Sequence, residues 1–368
     1  MVTTPCLVHA SAEAAAPAVM VSASHNPAPD NGLKVVLGGR KADEAEETAL
    51  EALLDGPARA EHVGNADLGR TRTDRGAVAA YRRHLSEIAG SAFDGLRLGI
   101  DCANGSASTL APDLFRSLGA EVTVLFDAPD GTNINDGCGS THPERLAATV
   151  AAAGLDVGFA FDGDADRLIA VDERGELVDG DAIMGICALA RLADRTLRND
   201  ALVVTVMSNG GLERAVHAAG GRVIRTPVGD RHVFEAMERH DAVLGGEQSG
   251  HIIFRDRATT GDGILTGIEL VRAVRAAGEP LSVLADRIPR LPQVVLNSVV
   301  RRRDEWQDDA ELAAAIQRAS DELAERGRVL VRPSGTEPKI RIMVEGDDAT
   351  QIERIARELA TLVAARLS

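Results

Sequence analysis

Two stretches of the chain repeat one pattern of apolar and polar positions. "LRLGIDCANGSASTLAPDLFRSLGAEVTVL" begins at Leu96 and "ALVVTVMSNGGLERAVHAAGGRVIRTPV" at Ala201, and each has an apolar run, an Asn-Gly turn, an amphipathic segment, a glycine and a Val-rich run. This order predicts strand, helix and strand in a parallel βαβ unit. The two turns lie roughly one hundred residues apart, an ordinary domain length. We therefore predict a duplicated α/β domain.

Apolar runs and turn signals predict further elements on both sides of this repeat. Ahead of it we predict strands over Ala18–Val21 and Leu33–Leu37, and helices over 42–54 and 75–88. Behind it, two prolines in "RIPRLPQ" interrupt the pattern. The segment 294–368 then predicts strand, helix, strand, loop, strand and helix, which is typical of a small α+β domain.

The predicted fold is therefore α/β and multidomain, with repeated α/β domains that contain mixed sheets and with a C-terminal α+β domain. At 368 residues, 45% hydrophobic and 26% charged, the chain is long enough for several cores. We predict the domain bounds 1–90, 91–177, 178–291 and 292–368.

Net charge excludes several classes of partner. The formal net charge is -16 at pH 7, and aromatic residues make up only 2% of the chain. Such a chain repels polyanions and offers few side chains on which bases could stack, so we expect neither nucleic acid nor a membrane surface as a partner. A small anionic substrate would need a local cluster of cations.

The cysteines and the N-terminal residues indicate the cellular compartment. Cys6, Cys102, Cys138 and Cys187 form no CxxC pair, and their wide spacing predicts buried free thiols in a reducing compartment. No Lys or Arg precedes Lys34, so the start of the chain makes a poor signal peptide. No apolar run approaches the roughly 20 residues that span a bilayer. We therefore expect a cytoplasmic protein.

The strongest chemical signal is the segment "FAFDGDADRLIAVDERG", which begins at Phe159. Asp162, Asp164 and Asp166 alternate there, and three carboxylates at this spacing repel one another unless a hard cation lies among them. An EF-hand calcium loop is one alternative, but Arg167 occupies the sixth position, where glycine is required, and both flanks predict strands. We therefore predict a Mg²⁺ site, with a plain acidic turn as the other alternative.

A second candidate is the turn after the predicted strand Ala18–Val21. In "VMVSASHNPAPDNGLK" the prolines and an Asn-Gly pair force a tight loop, which brings Ser24, His25 and Lys34 together. A plain polar turn is the default interpretation for any one of these residues alone, and the rest of the chain decides against it. Lys41 follows an arginine, and we predict that its side chain is merely solvated.

A glycine-rich segment, "GGEQSGHIIF", begins at Gly245. It carries Glu247, Ser249 and His251, which are suited to hydrogen bonds with sugar hydroxyls. Glycine-rich turns are common and a lone histidine is usually structural, so this segment indicates a sugar site only together with other motifs.

The segment "VLVRPSGTEPKIRIMVEG" predicts a tight turn after a strand. Guanidinium groups, hydroxyls and an accessible backbone N–H suit a phosphate, and the residues that offer them are Arg332, Ser334, Gly335, Thr336 and Arg341. The turn is not a Walker loop, because no GxxxxGK[ST] occurs in the chain. A surface turn with solvated arginines is the alternative.

These four segments together resemble the loops of the α-D-phosphohexomutase family. The family has, in this order, a phosphoserine loop like "SASHNP", a metal loop like "DGDADR", a sugar loop like "GEQSGH" and a phosphate loop like "RPSGTEP". The resemblance covers essentially the whole chain. Gln248, Gly335 and Glu337 are similar to the branch that acts on glucosamine phosphates. "TPVGDRHV" resembles a further substrate-contacting turn of the family.

The resemblance implies a mechanism and a set of site residues. Ser24 would carry a phosphoryl group, and Mg²⁺ would be held by a phosphoserine oxygen and by Asp162, Asp164 and Asp166. Lys34 and His251 would move protons to and from the sugar oxygens, and Arg167 would counter charge near the metal. The substrate-binding residues would be His25, Asn26, Gly229, Asp230, Arg231, Glu247, Ser249, Arg332, Ser334, Gly335, Thr336 and Arg341.

The implied reaction converts glucosamine 6-phosphate into glucosamine 1-phosphate through glucosamine 1,6-bisphosphate. Alternatives are a phosphohexomutase that acts on glucose or mannose phosphates, a hydrolase of the phosphoserine phosphatase type, and an inactive sugar-phosphate-binding pseudoenzyme. The sequence leaves open whether a kinase supplies the first phosphate on Ser24 and whether the chain forms a homodimer.

The chain departs from the family in two places. Ala165 stands where glycine is commoner, and we expect its methyl group to be tolerated if the backbone there is not at positive φ. Family members also have about eighty more residues before the serine strand, so we expect that strand to lack partners. On this interpretation Met1 is an internal or misassigned start, or the gene is truncated, and the 368-residue chain is poorly soluble or far less active than an extended one.

Overall fold

The computed structural model describes residues 1–55, 69–334 and 338–368. Over these ranges the chain forms two compact units. The first consists of Met1–Ser208 and Ala215–Ile288, and the second of Asn209–Arg214 and Pro289–Ser368. The first contains mixed sheets with helices and the second an antiparallel sheet with helices. The predicted fold class is therefore confirmed.

An antiparallel sheet of three strands lies in the N-terminal part of the first unit. Its strands are β1 (Ala18–Val21), β2 (Leu33–Leu37) and β3 (Arg40–Lys41), and the first two have the predicted bounds. The helices of this part are α1 (Thr4–Ala14), α2 (Glu44–Asp55) and α3 (Gly76–Ala89). Helices α2 and α3 overlap the two predicted helices.

Helix α1 is not among the elements predicted from the sequence. The Thr3 side chain accepts a hydrogen bond from the backbone N–H of Cys6 at 3.2 Å, and Pro5 lies in the first turn. Both are ordinary signals for the start of a helix. Because most residues of α1 are alanine or other small residues, its helical periodicity is weak in the sequence.

Strand β1 lies at the edge of its sheet. Among the strands that the structure describes it pairs with β2 alone. Val19 and Val21 on β1 are 54% and 61% exposed. An exposed apolar edge strand is able to pair with another chain. Within the described residues, β1 therefore has one strand partner, and the predicted truncation stays a prediction.

Two larger sheets follow in the first unit. The strands of one are β4 (Arg97–Asp101), β5 (Glu121–Leu125), β6 (Val157–Phe161), β7 (Leu168–Asp172) and β8 (Leu177–Val178). The strands of the other are β9 (Ala201–Thr205), β10 (Arg222–Thr226), β11 (Leu244–Gly246) and β12 (Ile252–Phe254). Every residue of β6, β7 and β9 is buried, which explains their continuous apolar runs.

These two sheets share one topology. Their strand orders are β5-β4-β6-β7-β8 and β10-β9-β11-β12. In each, the first three strands are parallel and the fourth is antiparallel to its neighbour. The two parallel βαβ units predicted from the repeated pattern are therefore confirmed.

The helices of these sheets are α4 (Ala111–Ser117), α5 (Glu144–Ala153), α6 (Gly180–Ala193), α7 (Gly210–Ala218), α8 (Asp230–Arg239), α9 (Gly263–Ala277) and α10 (Leu281–Ala285). Among them, α6 and α9 are largely buried. The amino-terminal ends of α8 and α9 lie close to the connections β11–β12 and β6–β7, as described below.

The second unit has an antiparallel sheet with the order β13-β15-β14. Its elements are β13 (Gln293–Val299), α11 (Ala310–Leu323), β14 (Gly327–Pro333), β15 (Lys339–Gly346) and α12 (Ala349–Leu367). They follow one another in the predicted order. Alternate apolar residues of β15 share a core with residues of α12. None of the described helices of the chain is both long and apolar enough to cross a membrane.

The four cysteines are free and buried, as predicted. Burial raises the pKa of Cys6, Cys138 and Cys187 to about 12 and also raises that of Cys102. Since the thiolate is the reactive form, we expect no reaction with a thiol-specific disulfide reagent in the folded chain at about pH 8. The same assay in denaturant is expected to count four thiols, and a rapidly reacting thiol before unfolding would contradict this burial.

Candidate active site

The three alternating carboxylates lie in the connection between β6 and β7. Asp162, Asp164 and Asp166 are all buried, and ligand oxygens from the three lie within 4.8 Å of one another. Burial raises the pKa of Asp162 well above its usual range, and the two neighbouring carboxylates add to the effect. Both flanking elements are strands, so the argument against an EF-hand loop is confirmed.

In Asp164 and in Asp166, one carboxylate oxygen accepts hydrogen bonds and the other has no described hydrogen-bond partner. Asp164 Oδ2 accepts hydrogen bonds from two donors, and Asp166 Oδ2 accepts one from Lys34 Nζ at 3.2 Å. Asp164 Oδ1 and Asp166 Oδ1 are buried and have no hydrogen-bond partner among the residues that the structure describes. Buried polar atoms without partners are rare in native proteins. Oxygen donors arranged in this way fit a hard divalent cation such as Mg²⁺.

Ser24 lies directly against this loop. Its Oγ donates a hydrogen bond to Asp162 Oδ2 at 2.7 Å. Its backbone has φ of 54°, and its N–H donates to Ser22 Oγ at 3.0 Å. Asn135 Nδ2 donates to the carbonyl oxygens of Ser24 and Asn26, both at 2.9 Å. The serine turn is therefore fixed at its backbone as well as at its hydroxyl.

Close contact between the serine turn and the metal loop depends on Gly163. A Cβ atom at that position would lie 2.6 Å from the carbonyl oxygen of Ser24, which is too close for any side chain. The glycine in "DGDADR" thus has a steric reason, because it lets two backbones meet beside the carboxylates.

Lys34 extends from β2 to two of the carboxylates. Its Nζ lies 2.5 Å from Asp164 Oδ2 and 3.2 Å from Asp166 Oδ2. Burial alone would lower the pKa of Lys34, but the two carboxylates outweigh it and the pKa is raised. Lys34 therefore remains an ammonium group at neutral pH.

Lys41 is not solvated, so that prediction was wrong. Its Nζ lies 2.7 Å from Asp230 Oδ2 and 3.5 Å from Asp166 Oδ2. It also lies 3.5 Å from His251 Nε2. Lys41 thus joins the metal loop, the start of α8 and the histidine of the sugar loop, which no pattern near Lys41 in the sequence indicates.

His251 directly precedes strand β12 and is buried. Its Nε2 is 3.8 Å from Asp166 Oδ2 and 3.7 Å from Asp230 Oδ2. Burial lowers the pKa of His251, and the charge of Lys41 lowers it further. Glycine at 261 provides the space for the ring, because a Cβ there would lie 2.4 Å from His251 Nε2.

The remaining polar residues of the sugar loop bond to a neighbouring turn and to one another. Glu247 Oε1 accepts a hydrogen bond from the backbone N–H of Gly229 at 3.0 Å, and Ser249 Oγ donates to Glu247 Oε2 at 3.5 Å. The backbone N–H of Leu168, just after the metal loop, donates to the carbonyl of Gly250 at 3.0 Å. The metal and sugar loops are therefore in direct contact.

His25 and Arg167 lie near each other beside the carboxylates. The backbone N–H of Arg167 donates to Asp162 Oδ1 at 3.2 Å, while its Nε is buried and has no hydrogen-bond partner within residues 1–55, 69–334 and 338–368. Burial lowers the pKa of His25, and the charge of Arg167 lowers it further. Asn26 Nδ2 donates to Asp30 Oδ2 at 3.1 Å.

Arg231 and residues of the second unit are also implied by the resemblance. Arg231 forms ion pairs with Glu47 and Glu44 on α2. Arg332, Ser334 and Arg341 belong to the second unit, where Ser334 N–H donates to the carbonyl of Lys339 at 2.8 Å. Gly335 and Thr336 lie outside the described residues. In the second unit, Arg332 and Arg341 are direct neighbours across β14 and β15.

Ala165 does not meet the condition set for tolerating its methyl group, because its φ is 58°. An L-residue pays about 1 kcal/mol for this left-handed conformation. We therefore expect Ala165→Gly to raise the free energy of unfolding by about 1 kcal/mol, measured by urea denaturation. The matched variant Ala170→Gly, in the extended strand β7, is expected to lower it, and equal effects of the two substitutions would contradict the strain.

Three residues of this site were missed in the sequence: Thr4, Lys41 and Asn135. Thr4 Oγ1 donates to Asp164 Oδ2 at 2.5 Å across 160 positions of the chain, and Asn135 reaches Ser24 across 111. Of these three residues only Lys41 could have drawn attention in the sequence, because lysine is rare in this chain and occurs just three times. The other contacts depend on how distant segments meet.

Comparison with known proteins gives the family. Four domain families match consecutive parts of the chain: phosphoglucomutase/phosphomannomutase alpha/beta/alpha domain I over residues 1–60, domain II over 79–175, domain III over 179–291 and the C-terminal domain over 296–362.

Curated relatives match over nearly the whole chain. Phosphoglucosamine mutase of Symbiobacterium thermophilum is 51% identical over 370 residues, which are 100% of this chain and 83% of the relative. Phosphoglucosamine mutase of Frankia alni is 49% identical over 99% of this chain and 80% of its own length.

Solved structures share the fold. A phosphoglucomutase/phosphomannomutase family protein of Burkholderia thailandensis has a TM-score of 0.81 at 28% identity, covering 99% of this chain and 81% of that chain. An Aspergillus fumigatus N-acetylphosphoglucosamine mutase in complex with GlcNAc-6P and magnesium has a TM-score of 0.74 at 19% identity, covering 99% and 92%. At that identity the second likeness shows the fold alone.

The fold, the carboxylate loop and these matches define a phosphosugar mutase. The chain belongs to the phosphoglucomutase/phosphomannomutase family, the α-D-phosphohexomutases. The family resemblance predicted from four short motifs is thus confirmed, as is the prediction of an isomerase of the mutase type.

Proposed function

We propose that the chain interconverts glucosamine 6-phosphate and glucosamine 1-phosphate, with a phosphoserine at position 24 and glucosamine 1,6-bisphosphate as the intermediate. One observation carries the proposal: Ser24 Oγ lies 2.7 Å from Asp162 Oδ2, inside a buried group of three carboxylates. A phosphoryl carrier beside candidate metal ligands is what phosphoryl transfer requires. Curated relatives about half identical to the chain are named phosphoglucosamine mutase, which supports the choice of sugar.

The proposed reaction balances over two transfers. In the first, the bond between Ser24 Oγ and phosphorus breaks and a bond forms between phosphorus and O1 of glucosamine 6-phosphate; the O1 proton is released and Ser24 Oγ takes up a proton. The bisphosphate then turns end for end. In the second transfer the bond from phosphorus to O6 breaks, the phosphoryl group returns to Ser24 Oγ, which gives up its proton, and O6 takes up a proton. The net change moves one phosphoryl group from O6 to O1.

The side chains around Ser24 have separate proposed tasks. Asp162, Asp164 and Asp166 would hold Mg²⁺, which when bound neutralises charge on phosphoryl oxygens. Lys34 remains charged beside two of these carboxylates and is suited to stabilise the same oxygens. Lys34 and His251 stay our candidates for proton transfer, and Arg167 for charge compensation.

We further propose that Arg332, Ser334 and Arg341 bind the phosphate that is not being transferred, together with Gly335 and Thr336. Two observations in the second unit support this. Arg332 and Arg341 are paired across adjacent strands, and burial together with the charge of Arg341 lowers the pKa of Arg332. An anion between two such guanidinium groups would relieve their repulsion.

Arg332→Ala is accordingly expected to raise KM for glucosamine 6-phosphate about tenfold to a hundredfold, because a charged hydrogen bond contributes about 1.5–3 kcal/mol. Initial rates over a range of substrate concentrations measure this. Arg318→Ala, on the exposed side of α11 in the same unit, is the matched control and should leave KM unchanged. An unchanged KM for Arg332→Ala would place the phosphate elsewhere.

The decisive experiment follows the phosphate on the protein and on the sugar. The purified chain is treated with glucosamine 1,6-bisphosphate and Mg²⁺, and peptide mass spectrometry locates the phosphoryl group. Phosphorus NMR then follows glucosamine 6-phosphate. We expect phosphate on Ser24 and accumulation of the 1-phosphate. Release of inorganic phosphate without any 1-phosphate would support a hydrolase, and higher kcat/KM for glucose or mannose phosphates would replace the sugar assignment.

Other predictions from the sequence are kept as parts of this proposal. We propose the four domain bounds 1–90, 91–177, 178–291 and 292–368 as the units that carry the four loops. A cytoplasmic location, an activating kinase for Ser24 and a homodimer stay predictions. Size-exclusion chromatography with light scattering tests whether the chain forms a homodimer.

A further inference from the structure

One hydroxyl group next to the metal loop has no part in the mechanism so far. Thr4 is the first residue of α1 and is fully buried. Its Oγ1 donates to Asp164 Oδ2 at 2.5 Å, and its backbone N–H donates to the carbonyl oxygen of Asp164 at 3.0 Å. One residue thus holds both the side chain and the backbone of a candidate metal ligand.

The two oxygens of Asp164 differ because of these contacts. Oδ2 receives hydrogens from Thr4 Oγ1 and Lys34 Nζ, both at 2.5 Å. Oδ1 is buried and receives none from the described part of the chain. A carboxylate held at one oxygen by two donors cannot rotate without breaking both bonds, so its other oxygen keeps a fixed direction. Donors of this kind orient metal ligands and raise metal affinity.

A second chain of contacts fixes α1 itself. The Tyr81 hydroxyl on α3 interacts with the Thr3 side chain at the start of α1, and donates to Asp262 Oδ2 at 2.7 Å. Asp262 caps the start of α9, and the backbone N–H of Gly263 donates to the carbonyl of Ala165 at 3.0 Å. The ends of two helices are therefore linked to each other and to adjacent residues of the metal loop.

We propose that Thr4 is a positioning residue for the metal site: its hydroxyl orients the Asp164 carboxylate so that Oδ1 is presented to a divalent cation. The inference deepens the proposed function, since it rests on the metal assignment, but it does not depend on which sugar is converted. It requires only that the isolated chain binds a divalent cation at this loop.

The test is calorimetric titration of the full chain with Mn²⁺, which needs no substrate. Thr4→Val keeps the shape of the side chain and removes the hydroxyl, so Mn²⁺ affinity is expected to fall about tenfold to a hundredfold. Thr4→Ser keeps the hydroxyl and is expected to bind within about threefold of the parent. Thr149→Val on α5 is the control, because the Thr149 hydroxyl donates to the carbonyl oxygen of Arg145 in its own helix at 2.8 Å.

Three outcomes would overturn the inference: equal affinity of parent and Thr4→Val, equal loss in Thr4→Ser and Thr4→Val, and no Mn²⁺ binding by the parent. If Thr4→Val loses its cooperative melt, the pair Thr4→Ser and Thr4→Ala, which differ by one oxygen atom, replaces it with the same expectations. In rate assays the variant should lower kcat and leave KM for the sugar phosphate unchanged. Normal metal binding by a chain without mutase activity would refute the proposed function and leave this inference standing.

Discussion

Replacing Ser24 by alanine is expected to abolish phosphate uptake and to lower kcat by more than about 10⁴-fold. The substitution removes only Oγ, the atom that lies 2.7 Å from Asp162. Alanine is preferred to glycine here because it keeps Cβ, and thus the backbone preferences of the serine at φ of 54°. Intact-protein mass spectrometry after treatment with the bisphosphate, together with initial rates, measures both effects.

The control for this variant is Ser117→Ala. The Ser117 hydroxyl lies on α4 and donates to the carbonyl oxygen of Leu114 at 2.7 Å. Its loss should change neither phosphate uptake nor rate. One phosphoryl group still bound to the Ser24→Ala chain would mean that another residue is the carrier, and it would remove the observation on which the proposed function rests.

Replacing Asp164 by asparagine is expected to lower kcat at least about a hundredfold at saturating Mg²⁺, because a metal ligand in phosphoryl transfer is worth several kcal/mol. The direction of the amide follows from the contacts of Asp164. Thr4 and Lys34 both donate to Oδ2, so they will hold the amide oxygen. The amide NH₂ then takes the place of Oδ1 and presents hydrogens where a cation needs an oxygen.

Rates over a series of Mg²⁺ concentrations, with a thermal melt of the same sample, separate loss of the ligand from loss of the fold. Asp113→Asn makes the same chemical change at an exposed carboxylate on α4 and should have no effect on kcat. Undiminished turnover of Asp164→Asn with an unchanged melt would show that the carboxylate loop does not hold the metal.

Much of the fold could be predicted from short stretches of sequence. Strands β1 and β2 and the two parallel βαβ units were predictable because an apolar run between turn residues is a local pattern of the sequence. Helix α1 was not predicted because its apolar residues are few and small, although Thr3 and Pro5 are signals for its start.

The residues of the candidate site fall into two groups, those that stand in a recognisable local sequence pattern and those that do not. Ser24 and the three aspartates stand in local patterns whose chemistry is visible without a structure. Thr4, Lys41 and Asn135 act through contacts with residues more than one hundred positions away. Their side chains are ordinary where they stand in the sequence, so only the meeting of distant segments gives them a role.

The two equivalent sheets place two different loops in corresponding positions. The connection from β6 to β7 carries the aspartates, and the connection from β11 to β12 carries Glu247 and His251. Leu168 and Gly250 join these two connections through a backbone hydrogen bond at 3.0 Å. The same position in the two sheets therefore carries three carboxylates in one case and a carboxylate and an imidazole in the other.

This arrangement has a consequence for how the two sheets tolerate change. Side chains within either sheet can be replaced by others that pack equally well, but the two connections are not independent, because Leu168 and Gly250 bond them to each other. A backbone shift in the connection that carries Glu247 and His251 is therefore expected to move the aspartate loop as well. The distance between His251 and the carboxylates is thus set by both hairpins together.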